Sequence, residues 1–109
     1  MIILLDKKIS PDQLKCVAVD LDGYIKFVVD VRRELMAAGG TRHIECEEIL
    51  LKDGSRQKDL WGGGYDLESG GMDFDSMINI RSAQGNTSRE VLDPKVRKAV
   101  EEIVNKLLI

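Results

Sequence analysis

The sequence lacks a strong basic excess, a cysteine motif and any long apolar run, and each shortage removes a class of function. Its formal net charge is −3 over 109 residues. Residues 42–75 hold four basic side chains against nine acidic ones, and residues 76–109 hold six against four. A general nucleic-acid binder would carry a basic face, so that class is disfavoured, while a local anion site remains open. Cys16 and Cys46 have no metal-ligand spacing, so no zinc site is implied and both are expected as reduced, buried residues. The apolar runs at residues 1–5 and 25–31 are too short for a membrane span. Neither follows a signal-peptide pattern, and a cytoplasmic protein is expected.

Catalytic signatures are equally scarce. Gly62-Gly63-Gly64 is followed by Tyr65-Asp66-Leu67, which matches neither a dinucleotide fingerprint nor a lysine-containing phosphate loop. Ser76 stands between Asp75 and Met77 without the glycines of a nucleophile elbow. His43 is the one histidine, and strand alternation would align it with Glu45 and Glu47. That arrangement, with Asp75, defines the candidate catalytic pair His43 and Asp75, a base with a nearby carboxylate. No metal ligands are assigned and no cofactor can be named.

What is present is an ordered series of elements. Residues 1–5 read as a short strand. Ser10, Pro11 and Gln13 form a helix start with a capping box, and Ile9 against Leu14 supplies a hydrophobic staple. Leu14, Val17, Ala18 and Leu21 then make an apolar stripe. Residues 24–36 alternate as one long strand, with Gly39-Gly40 as a hairpin turn returning through residues 41–44. One or two helical turns follow over residues 45–53, ended by Gly54. Residues 59–67 read either as a glycine-interrupted strand or as a packed loop. Residues 74–81 alternate again as a strand, with Asp75, Met77, Asn79 and Arg81 on one face. Asp93 and Pro94 open a last helix with a stripe of Val96, Val100, Ile103, Val104 and Leu107.

These elements predict an α+β fold for residues 1–109 as one domain. It would be a two-layer sandwich, with a mainly antiparallel or mixed sheet and two amphipathic helices on one face. The opposite sheet face would then show polar side chains, among them Arg32 and Asn79. Beside it, Arg81, Gln84, Asn86, Ser88 and Arg89 gather donors around a glycine, ahead of a helix start. Such a turn either holds an anion or ties itself together through its own carbonyls. Trp61 is either a stacking platform for a ring or an anchor for its loop.

Several local strings carry a likeness. Gly39-Gly40 with His43, Leu50-Leu51, Asp53-Gly54-Ser55, Gln57 and Asp59-Leu60-Trp61-Gly62 come first. Residues 75–81, then Gln84-Gly85-Asn86 and Ser88, complete the pattern. Together they resemble a family of short, uncharacterised bacterial and archaeal proteins, a domain of unknown function. The resemblance implies a stand-alone cytosolic unit and brings no catalytic residue with it. Three functions remain in view. The first is a binding module for an anionic small molecule or nucleic-acid segment, using the polar sheet face and residues 81–89. The second is a small hydrolase or transferase built on His43 and nearby carboxylates, with or without a metal. The third is a structural or regulatory protein that self-associates, as a homodimer along a sheet edge.

Overall fold

The computed structural model describes all of residues 1–109. Five strands form one antiparallel sheet: β1 (Ile2–Leu5), β2 (Tyr24–Asp30), β3 (Leu35–Gly39), β4 (Leu60–Asp66) and β5 (Met72–Asp73), in the order β1-β3-β2-β4-β5. Three helices accompany it: α1 (Pro11–Ala18), α2 (His43–Lys52) and α3 (Pro94–Leu107). The fold is α+β, as the element pattern predicts.

The two strongly signalled helices form where their caps place them. Ser10 Oγ accepts the Gln13 N–H at 3.1 Å while Gln13 Oε1 accepts the Ser10 N–H at 3.0 Å, and Pro11 occupies the first helical position. Asp93 Oδ1 accepts the Lys95 N–H at 2.9 Å ahead of Pro94. Both helices lie on one face of the sheet. Val17 of α1 and Val100, Ile103, Val104 and Leu107 of α3 join Ile25, Phe27, Val29, Met36 and Ala38 in the larger core.

The long strand expected over residues 24–36 is two strands joined by a tight turn. Asp30 caps that turn: its Oδ1 accepts the N–H groups of Arg32 and Arg33, both at 2.9 Å, and its backbone carbonyl accepts the Glu34 N–H at 2.8 Å. Glu34 takes the left-handed φ of 55° that closes the loop. The hairpin therefore pairs Asp30 with Leu35 and Phe27 with Ala38, with no glycine or proline to announce it. The return strand expected over residues 41–44 is instead the approach to α2 and its first turn. Glu45 reaches back to accept the Arg42 N–H at 3.2 Å, the carboxylate half of a capping box.

Helix α2 runs between β3 and β4 across the sheet face opposite α1 and α3. Cys46 and Leu50 pack there on Val28, Ala37 and Leu60 in a second, smaller core. The face expected to be open and polar is thus covered over its middle and stays accessible at its margins. The strand expected over residues 74–81 is likewise absent. Its place is taken by a 3-10 turn at Met77–Asn79 and two isolated bridges, Asp75 with Glu90 and Arg81 with Asn86. The chain satisfies its backbone there through side chains rather than through a ladder.

No helix is long and apolar enough to cross a membrane. Cys16 is exposed and Cys46 buried, both as free thiols. Burial pushes the Cys46 thiol up to about 12.

Candidate functional site

A cleft of about 760 Å³ opens at the margin of α2, on the face that helix covers. Its floor is sheet. Tyr24 and Lys26 rise from β2, and behind the lining side chains lies β4, whose Gly62, Gly63 and Gly64 are buried. Alternation explains the first pair: Tyr24, Lys26 and Val28 share one side of β2, and Ile25, Phe27 and Val29 the other.

The glycine run is a real strand, paired from Leu60 to Asp66 against β2. Each glycine leaves room for a different neighbour. A Cβ on Gly62 would stand 2.7 Å from Ser76 Cβ and 3.1 Å from His43 Cδ2. One on Gly63 would meet Phe27 Cζ at 2.8 Å, and one on Gly64 would collide with the Tyr24 ring. The missing side chains allow His43, Ser76 and Tyr24 to settle on the sheet backbone, which fixes their positions from below.

One wall is the first turn and a half of α2. Arg42, His43 and Glu47 face the cleft, with Ile44 at the rim. Because residues four apart share a helix face, His43 and Glu47 stand together. Glu45, grouped with them by strand alternation, turns away to cap the helix. His43 Nε2 lies 2.7 Å from the Gly63 carbonyl oxygen, so that nitrogen carries the proton and donates. Nδ1 is left as an acceptor with no protein partner, and it is not among the sealed, unpaired polar atoms. Burial holds His43 below the ordinary histidine value, against the opposing effect of the Gly63 hydrogen bond; nearby Lys26 lowers it further, while Asp73 and Asp75 raise it. The imidazole is therefore neutral at pH 7.

The facing wall is the segment from Asp73 to Ile80. Tyr24 Oη donates to Asp73 Oδ2 at 2.6 Å, and burial, then this bond, raise the phenol's pKa, so it stays a donor. Asp73 Oδ1 accepts the Asp75 N–H at 3.1 Å. Asp75 itself receives Arg89 Nε at 3.0 Å. Ser76 is 2% exposed, and its Oγ accepts the Ile78 N–H at 3.3 Å. Among the charged groups around the cleft, Lys26, Arg42, Glu47 and Asp73 have no ion-pair partner. Burial raises the Glu47 pKa, opposed mainly by the charge of Arg81. No three histidine, cysteine, aspartate or glutamate side chains gather as metal ligands would.

The sequence-predicted residues divide around this cleft. His43, Asp75 and Arg89 line it. Arg81 directs its guanidinium to the carbonyls of Gln57 and Leu60 and lies 3.9 Å from the centre of the Trp61 ring. Trp61 is 5% exposed, in the larger core. Gln84 Nε2 donates to the Lys58 carbonyl at 3.0 Å. Asn86 Nδ2 donates to the carbonyls of Asn79, Ser88 and Glu90, and its Oδ1 accepts the Leu92 N–H at 2.9 Å. Ser88 Oγ accepts the Glu90 N–H at 3.1 Å. Asn79 is fully buried: it accepts the Gly62 N–H at 2.9 Å and donates to the carbonyls of Gly62, Phe74 and Arg89. Arg32 pairs with Asp59 at 3.2 Å on the β2–β3 turn, away from the cleft. Donors that read as a ligand-facing cluster thus bind the protein's own backbone.

Sequence reasoning missed Tyr24, Lys26, Arg42, Glu47, Asp73 and Ser76 as one group. The signal open to it was the glycine triplet, since a strand of bare backbone invites large side chains to pack on it from elsewhere.

A model of proteins of unknown function, DUF5674, matches residues 3–107. The chain belongs to the DUF5674 family. No curated protein and no solved structure matches the chain. Nearly all of the fold described above, including both walls and the floor of the cleft, lies within the family match.

Proposed function

We propose that this DUF5674 protein is a cytoplasmic binding module for a small molecule carrying an anionic group, and that the ligand occupies the cleft between α2 and the Asp73 to Ile80 segment. The observation that carries this reading is the pair of unmatched cations, Lys26 and Arg42, beside a concave space of about 760 Å³. That volume is in the range of small-ligand pockets. Asp75 is matched by Arg89, whereas Asp73, hydrogen-bonded by the neutral Tyr24, keeps its charge on the opposite wall from Arg42. A nucleic-acid segment fits less well, because α2 covers the centre of the face on which a strand would lie. The free thiols suit a reducing compartment.

A thermal-shift screen against phosphate- and carboxylate-bearing metabolites tests the proposal. Ligand at a hundred times its Kd stabilises by about 2.7 kcal/mol, a shift of several degrees for a domain of this size. Lys26→Ala is expected to weaken that ligand by about tenfold or more, the cost of one charge-assisted contact. A ligand whose affinity is the same in Lys26→Ala and Arg42→Ala would place the binding site elsewhere.

A further inference from the structure

Resting on that reading of the cleft, we infer that its ligand is a zwitterion of the α-amino-acid class with an apolar side chain. The carboxylate meets Lys26 and Arg42, and the ammonium lies between His43 Nδ1 and the Glu47 carboxylate.

The cleft offers an anion acceptor and a cation acceptor side by side. His43 and Glu47 are one helical turn apart on the cleft-facing side of α2. His43 Nε2–H is committed to the Gly63 carbonyl, so Nδ1 can only accept, and an ammonium supplies donors for it and for Glu47 together. Glu47 has no cationic partner within ion-pair distance. A bound ammonium provides one and favours the ionised carboxylate against the cost of its burial. Asp75 is paired with Arg89, and both oxygens of Asp73 already accept hydrogen bonds, from Tyr24 Oη and the Asp75 N–H, although its charge remains. Lys26 acts on the imidazole from the floor, and Asp73 and Asp75 act on it with the opposite sign from the facing wall. A simple dianion would set its second charge against Glu47, which disfavours it. Ile44 and Met77, 43% and 66% exposed, stand at the mouth and give an aliphatic substituent an apolar surface to cover.

The test is calorimetric titration with L-leucine, N-acetyl-L-leucine, which lacks the ammonium, and 3-methylbutylamine, which lacks the carboxylate. L-leucine is expected to bind, with each single-charge analogue at least about tenfold weaker, as loss of one charge-assisted contact requires. Glu47→Gln, close to isosteric, should weaken L-leucine by about tenfold and leave N-acetyl-L-leucine unchanged. His43→Gln, which keeps a donor and an acceptor, gives a second variant should Glu47→Gln disturb the helix. If N-acetyl-L-leucine binds as well as L-leucine, and Lys26→Ala abolishes both, the zwitterion is overturned while the anion site stands. Binding of inorganic phosphate but not L-leucine, again lost in Lys26→Ala, likewise overturns the zwitterion and keeps the anion site. L-leucine binding indifferent to Lys26→Ala and Glu47→Gln overturns both.

Discussion

Asn79 does with one side chain what a neighbouring strand would do with its backbone. On the outer edge of β4 it takes both the N–H and the carbonyl of Gly62, and it gathers two further carbonyls from Phe74 and Arg89. Asn86 works in the same way a few residues later. Arg81 ties Gln57 and Leu60 to the face of Trp61. Removing such a group leaves buried backbone polar atoms unsatisfied. Asn79→Ala is expected to cost about 2–4 kcal/mol, read as a lower urea midpoint at unchanged slope, with Arg81→Ala costing about 1–3 kcal/mol. An Asn79→Ala protein as stable as the wild type would show that the edge of β4 is satisfied in some other way. The residue types of this segment were legible as a donor cluster. Whether they faced a ligand or their own chain was not, because the acceptors at Gln57, Lys58, Leu60 and Gly62 lie some twenty residues away in sequence and are ordinary carbonyls.

At the scale of elements, legibility followed the local capping chemistry. Helices α1 and α3 announce themselves with Ser10-Pro11 and Asp93-Pro94, and both form as expected. Helix α2 follows Arg42, a residue with no capping signature, and its weak apolar periodicity shows helical turns only over residues 45–53, so the first turn, which places His43 beside Glu47, reads as strand. The β2–β3 hairpin was hidden for a similar reason: Asp30 builds the turn from within an alternating run, and Glu34 rather than glycine takes the left-handed position. Strand β4 was ambiguous because glycine weakens a strand unless something packs against it. Here the walls of the cleft pack against it. Gly62→Ala should relieve about 0.5–1 kcal/mol of unfolded-chain entropy yet remain a net destabilisation of about 1–3 kcal/mol. Its Cβ would stand 2.7 Å from Ser76 Cβ, an atom tied to the backbone rather than a mobile tip. Thermal unfolding of Gly62→Ala above the wild-type temperature would contradict the close seating of Ser76 and His43 on β4.

For the whole molecule, the decisive feature is that helices pack on both faces of the sheet. With α1 and α3 on one side and α2 on the other, the second face is reached along its margins, and the cleft lies at the margin between α2 and the Asp73 to Ile80 segment. The antiparallel sheet and its two-helix layer were legible from alternation and capping. The covered second face was not, since it depends on α2, the element with the weakest local signal. The proposed function accordingly moves the ligand surface from a broad polar sheet face with residues 81–89 to a smaller cleft with different walls. The sharpest check on that change of site is a backbone amide map recorded during titration with the best anionic ligand from the thermal screen. Binding in the cleft moves the amide signals of Lys26, His43, Glu47 and Gly62, Gly63 and Gly64 together at one saturating affinity, while those of residues 82–88 stay in place. Movement confined to residues 82–88, with the α2 and β4 signals unmoved, would return the ligand to the turn and leave the cleft without a role.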